Sequence, residues 1–84
     1  MWKLVSFVRR GRLRTKVLES LSNPSNPTDL AKKLNSHRST VSSVLSDLKK
    51  KSLVKRLNPS EKNVSIYGLT KEGKQVSIKI KDMK

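Results

Sequence analysis

The stretch from Leu30 to Val54 reads LAKKLNSHRSTVSSVLSDLKKKSLV. Leu30, Ala31 and Leu34 fall on one side of a short helix expected over Pro27 to Leu34, and Asn35-Ser36-His37 supplies a turn. After the turn, Val41, Val44, Leu45 and Leu48 recur at the i, i+3, i+4, i+7 spacing of one buried stripe, which predicts a second helix from about Arg38 to Lys51. Committing those four to a core leaves Arg38, Ser39, Ser42, Ser43 and Ser46 on the outward face. Serine is a mediocre helix former because its hydroxyl competes for backbone hydrogen bonds, so four on one face need a reason. One reading is a plain solvated face. The other is a surface of hydroxyls and one guanidinium fork that hydrogen-bonds a partner.

Charge favours the second reading. The chain carries 20 Lys and Arg against 6 Asp and Glu, a formal net charge of +14. A Lys-rich surface that is merely soluble usually carries Glu in near-equal number, and here the acids are missing. The excess costs self-repulsion that a phosphate backbone would relieve, so nucleic acid is the expected partner. The 84 residues fit one domain, residues 1–84, with a small core and no room for a large cofactor cleft. Without cysteine there are no disulfides, thiolate zinc sites or Cys nucleophiles, which fits a reducing cytoplasm. No run of ~18 apolar residues suits a membrane span. In the opening MWKLVSFVRRG the charges follow the apolar stretch, the wrong order for a signal peptide. The expected location is the cytoplasm, on the nucleoid.

Upstream, Trp2, Leu4, Val5, Phe7 and Val8 make residues 1–9 apolar enough to pack, as a helix or as an extended arm. RRGRLRTK then places five cations between Arg9 and Lys16. Leu13, Val17, Leu18 and Leu21 form the stripe of another amphipathic helix, which Asn23-Pro24-Ser25-Asn26-Pro27 must end. Asn26 reads as an N-cap, Pro27 as the first helical residue and Asp29 as an anion in the first turn. Downstream, residues 53–57 and 64–69 read as strands around a polar loop at 58–63. Thr70 then caps a last helix over 71–83, which buries some of Val76, Ile80 and Met83.

This order of helix, helix, helix, strand, loop, strand, helix is an α+β arrangement. With RLRTKVLESL, NPTDLAKKLNSHRSTVSSVLSDLKKKSLV and YGLTKEG in place, the chain resembles the winged helix-turn-helix domains of prokaryotic transcriptional regulators. It is most similar to small archaeal ones of the arsenic-repressor and multiple-antibiotic-resistance-repressor types. The resemblance covers roughly residues 10–73 and implies a three-helix core, a two-stranded β-hairpin wing over 53–69, and a C-terminal helix. The helix-turn-helix is residues 27–51.

In helix-turn-helix proteins the N-terminal turns of the second helix enter the major groove of double-stranded DNA. Arg38, Ser39, Thr40, Ser42 and Ser43 are therefore the expected reading face, with Arg38 suited to a guanine edge or a phosphate and Thr40 free to cap or to contact. Ser36 or His37 is expected to cap this helix, and His37 also to meet a phosphate. The wing, by resemblance, lies on the backbone or in the minor groove through Lys55, Arg56, Lys62 and Asn63, while Glu61 opposes deep insertion. Arg10, Arg12, Arg14, Lys49 and Lys50 are expected phosphate contacts, indifferent to sequence. Trp2, Phe7 and the last helix exceed what a small monomer core needs. In the resembling families such helices pack around a two-fold axis, which implies a homodimer; folding back on one subunit is the alternative.

An enzyme is disfavoured, since there is no P-loop, no Cys, a single His, and scattered acids. The reading calls for no cofactor and no metal, and shows no small-molecule effector; arsenic-sensing relatives use cysteines that are absent here. The leading function is a DNA-binding transcriptional regulator. Second is a sequence-tolerant architectural binder that coats DNA. An RNA-binding or protein-docking winged helix is third, because one Trp, one Tyr and one Phe leave few stacking aromatics.

Overall fold

Five helices and one short hairpin follow each other in the computed structural model, which describes residues 2–83. They are α1 (Trp2–Arg9), α2 (Arg12–Ser20), α3 (Pro27–Lys33), α4 (Arg38–Lys50), β1 (Val54–Arg56), β2 (Tyr67–Leu69) and α5 (Lys71–Asp82). Met1, the first residue of the expected arm, lies outside the described residues.

The N-terminal segment is a helix rather than an arm. Val5 and Val8 are fully buried in the same cluster as Val17, Leu18, Leu45, Leu48, Val76 and Ile80. Thus α1 and α5 pack on each other and belong to the core of one chain. That corrects the view that they are surplus to a monomer, since apolar area is buried here without a partner. The end of α1 is tied down by α2: Thr15 Oγ1 donates to Val8 O at 3.1 Å, and Arg14 Nη1 donates to Phe7 O at 2.9 Å. Carbonyls left over at a helix end are thereby satisfied.

Asn26 caps α3 as its sequence position suggests. Its Oδ1 accepts from Asp29 N at 2.8 Å, and its Nδ2 donates to Asp29 Oδ2 at 3.0 Å. Replacing such a cap with alanine leaves a first-turn N–H unpaired, so Asn26→Ala is expected to cost about 1 kcal/mol. Urea denaturation would register this as a lower midpoint at unchanged slope; an unchanged midpoint would mean that water serves the N–H equally well.

Both helix-turn-helix helices end in left-handed residues, Asn35 (φ 53°) and Ser52 (φ 60°). In each, the next amide reaches back five residues, Ser36 N to Ala31 O at 2.9 Å and Leu53 N to Leu48 O at 3.0 Å. These are Schellman closures. The first of them corrects an expectation: Ser36 belongs to the exit of α3, its Oγ donates to Leu34 O, and it does not cap α4. His37 occupies the N-cap position, but its side chain makes no capping bond.

The hairpin is antiparallel, with Val54 opposite Leu69, Lys55 opposite Gly68 and Arg56 opposite Tyr67. It is shorter than expected: Val64 O and Ile66 N are taken by the Asn58 side chain, and Ile66 O keeps one backbone bond, from Leu57 N. Tyr67 also exchanges both backbone hydrogen bonds with Ser25, at 3.1 and 2.8 Å, so the segment before α3 forms a third edge of the small sheet. Thr70 caps α5 through Gly73 N at 3.0 Å, and Val76 and Ile80 are buried while Met83 remains 42% exposed.

Candidate nucleic-acid interface

The buried stripe of α4 is Val41, Leu45 and Leu48, with Val44 half-buried against the same core. Helical geometry then turns Arg38, Ser39, Thr40, Ser42, Ser43 and Ser46 outward, and all six are exposed. At 1.5 Å per residue α4 is about 20 Å long, and a helix of that diameter fits the major groove of B-DNA. His37 is exposed just ahead of it, and Lys49 and Lys50 are exposed at its far end.

The wing lies beside the start of this helix. Arg38, Lys62, Asn63 and Ser65 line one cleft of about 460 Å³ together with Thr28 and Asp29 at the start of α3. The structure therefore brings Arg38 of α4 and Lys62 of the wing to one polar groove. Its one carboxylate, Asp29, is held by Asn26. Lys55 is exposed on β1 next to a second cleft, lined by Leu57, Gly68 and Lys74 among others.

Two arginines from the expected contact set are engaged inside the fold. The Arg14 guanidinium lies 4.2 Å from the centre of the Phe7 ring while bonding Phe7 O, and Lys51 Nζ lies 5.3 Å from the same ring. Such cation–π placement fastens α1 and α2 to the end of α4. Arg56 is half-buried; its Nε donates to Asn58 Oδ1 at 3.4 Å and its Nη2 to Glu61 O. Arg10 and Arg12 are exposed and differ in this from Arg14.

Sequence reading missed Asn58, Thr28 and Ser65. The Asn58-Pro59 pair is a turn signal, and a turn signal does not say what the Asn58 amide bonds. Thr28 and Ser65 carry no local pattern, and only the approach of the wing to α3 brings them together.

Among the described residues no helix is long and apolar enough to cross a membrane, and no group of His, Asp and Glu could hold a metal ion.

Comparison with known proteins places this geometry. MarR from E. coli in its reduced form is 28% identical, with a TM-score of 0.76 over 92% of this chain and 59% of that one. The transcriptional regulator BldR from Sulfolobus solfataricus is 25% identical, with a TM-score of 0.76 over 83% of this chain and 52% of that one. ZitR from Lactococcus lactis, solved in complex with DNA, is 22% identical, with a TM-score of 0.72 over 79% and 47%. The chain thus spans about half the length of the solved proteins it matches. No curated protein matches it in sequence. The fold is that of the winged helix-turn-helix regulators. The model of one family, described as the N-terminal domain of the methanogenesis regulatory protein FilR1, matches residues 2–83, nearly the whole chain, and the chain belongs to that family.

Proposed function

We propose that the chain binds double-stranded DNA as a transcriptional regulator, with α4 in the major groove and the wing on the adjacent backbone. One observation carries the reading: Arg38, at the start of the exposed face of α4, and the wing residues Lys62 and Asn63 line a common cleft. Charge of +14 supplies the attraction. The DNA complex of ZitR, a protein of the same fold, supports the choice of partner.

In this scheme Arg10, Arg12, Lys49, Lys50, Lys55 and His37 lie along phosphates, and Ser39, Thr40, Ser42 and Ser43 hydrogen-bond across the groove floor. Arg14 and Arg56 act indirectly, by holding α1 and the wing in place. In the same reading the protein acts as a homodimer whose two reading helices meet half-sites about one helical turn or more apart. Exposed Trp2 on α1, 63% accessible, with Met83 beside it, offers apolar surface for a second copy. No catalytic step is assigned to any residue.

The runner-up is a sequence-tolerant architectural binder, favoured by a reading face with a single long donor. Selection of duplexes from a random pool, followed by titration of wild type and Arg38→Ala, separates the two. A regulator yields an enriched motif bound by two chains per site. If Arg38 reads a base, the substitution costs about 1–3 kcal/mol on that motif while leaving random DNA nearly unaffected. Absence of any enriched motif would favour the architectural binder, and absence of duplex binding altogether would remove the proposal.

A further inference from the structure

The wing loop, residues 57–66, contains almost no ladder pairing, yet it is closed by a small side-chain network. Asn58 sits at its centre. Its Nδ2 donates to Val64 O at 2.7 Å, while its Oδ1 accepts from Ile66 N at 2.8 Å and from Arg56 Nε at 3.4 Å. One side-chain amide thereby serves Val64 O and Ile66 N, which no strand partner meets. Arg56 completes the closure by bonding Glu61 O, and the Glu61 carboxylate accepts from Asn63 N at 3.1 Å. Leu57 N to Ile66 O, at 2.7 Å, is the last backbone bond before the loop opens.

These bonds decide where Lys62 and Asn63 stand. A ten-residue loop left to itself would sample many conformations, and ordering it on binding would weaken the complex. Here the side-chain bonds close the loop, and its Lys62 and Asn63 line one cleft with Arg38 and Thr28. We infer that Asn58, with Arg56, is the positioning residue of the wing: it holds Lys62 and Asn63 opposite Arg38, so that the cleft between wing and helix-turn-helix is a preformed seat for one backbone phosphate of the duplex. This rests on the DNA-binding reading above.

Arg56 and Glu61 acquire roles different from those their charges suggest. The arginine braces the loop instead of meeting the phosphate. The carboxylate keeps its charge but has a task within the loop, accepting from Asn63 N.

The test is a double-mutant cycle of Asn58→Ala and Lys62→Ala, with duplex affinity measured between 50 and 200 mM salt. One phosphate contact corresponds to a slope of about 0.9, or roughly eightfold in affinity at 0.1 M salt. Lys62→Ala is expected to show that loss and a slope lower by about one. Asn58→Ala, which removes no charge, is expected to show a similar fall in both quantities, and the double variant little more than either alone. Backbone relaxation in the free protein is expected to show residues 61–65 becoming mobile in Asn58→Ala, with the melting temperature close to wild type. Asn58→Asp keeps the acceptor and is expected to retain more loop order than alanine. If wild type binds DNA and Asn58→Ala binds with equal affinity and slope, the inference is overturned. If wild type does not bind duplex DNA, the functional reading fails instead, and the relaxation data still report whether Asn58 holds the loop.

Discussion

Raising salt from 50 to 200 mM is expected to weaken duplex binding about a thousandfold. The figure follows from neutralising roughly six phosphates at a slope of about 0.9 each. Six is a moderate number for this surface, where Arg10, Arg12, Arg38, Lys49, Lys50, Lys55 and Lys62 are exposed and the formal charge is +14. Arg14 and Arg56 are left out because their guanidinium groups are engaged within the fold. On the proposed reading, direct base contacts would come from one arginine and a row of hydroxyls, and hydroxyls carry little discrimination individually. On that reading counterion release would provide most of the affinity, and a steep salt dependence is its signature. Fluorescence anisotropy on a 20-bp duplex at four salt concentrations measures the slope directly. A slope shallower than about two would mean that few of these cations reach phosphates.

Gly73→Ala is expected to destabilise the domain by about 2–3 kcal/mol even though alanine is the better helix former. A Cβ built on Gly73 would stand 2.0 Å from the carbonyl oxygen of Leu53. That oxygen is backbone at the entrance to β1 and already accepts from Thr70 N at 3.1 Å, so it has no easy retreat. The first turn of α5 sits against this carbonyl while Thr70 Oγ1 bonds Ser52 O at 2.6 Å and Gly73 N at 3.0 Å. Moving the turn away would loosen the cap and lift Val76 and Ile80 from the core. Helix propensity returns at most about 1 kcal/mol, less than the close contact removes. For a domain of this size the net loss lowers the melting temperature by about 10–20 °C. Calorimetry finding the variant within a few degrees of wild type would show that α5 shifts freely. By comparison, Gly68 is lenient: a Cβ there meets only the mobile end of Leu57.

Where periodicity and capping chemistry were strong, the chain could be read directly. The stripe Val41, Leu45, Leu48, the Asn26 cap followed by Pro27, and the Thr70 cap of α5 all stand where their spacing places them. These are local signals, carried by residues within a turn or two of one another. The hairpin was harder, because Val64 and Ile66 have strand-like side chains yet sit outside the ladder. The Asn58 amide, not strand propensity, decides their pairing. The bridge between Ser25 and Tyr67 joins residues 42 positions apart and has no local trace.

Charge shows the division most sharply. Composition alone established a strongly basic chain, and helical spacing alone established which side of α4 would remain outside. Neither says which cations are free to meet a partner. In sequence, Arg14 is one of five cations in RRGRLRTK, and only the packing of α1 across α2 brings the Phe7 ring and carbonyl to it. Arg56 likewise resembles Lys55, until the loop returns and Asn58 and Glu61 O close on it. Helix stripes and caps depend on neighbours along the chain. The availability of a side chain depends on what approaches it through space, and that was decided by the tertiary structure.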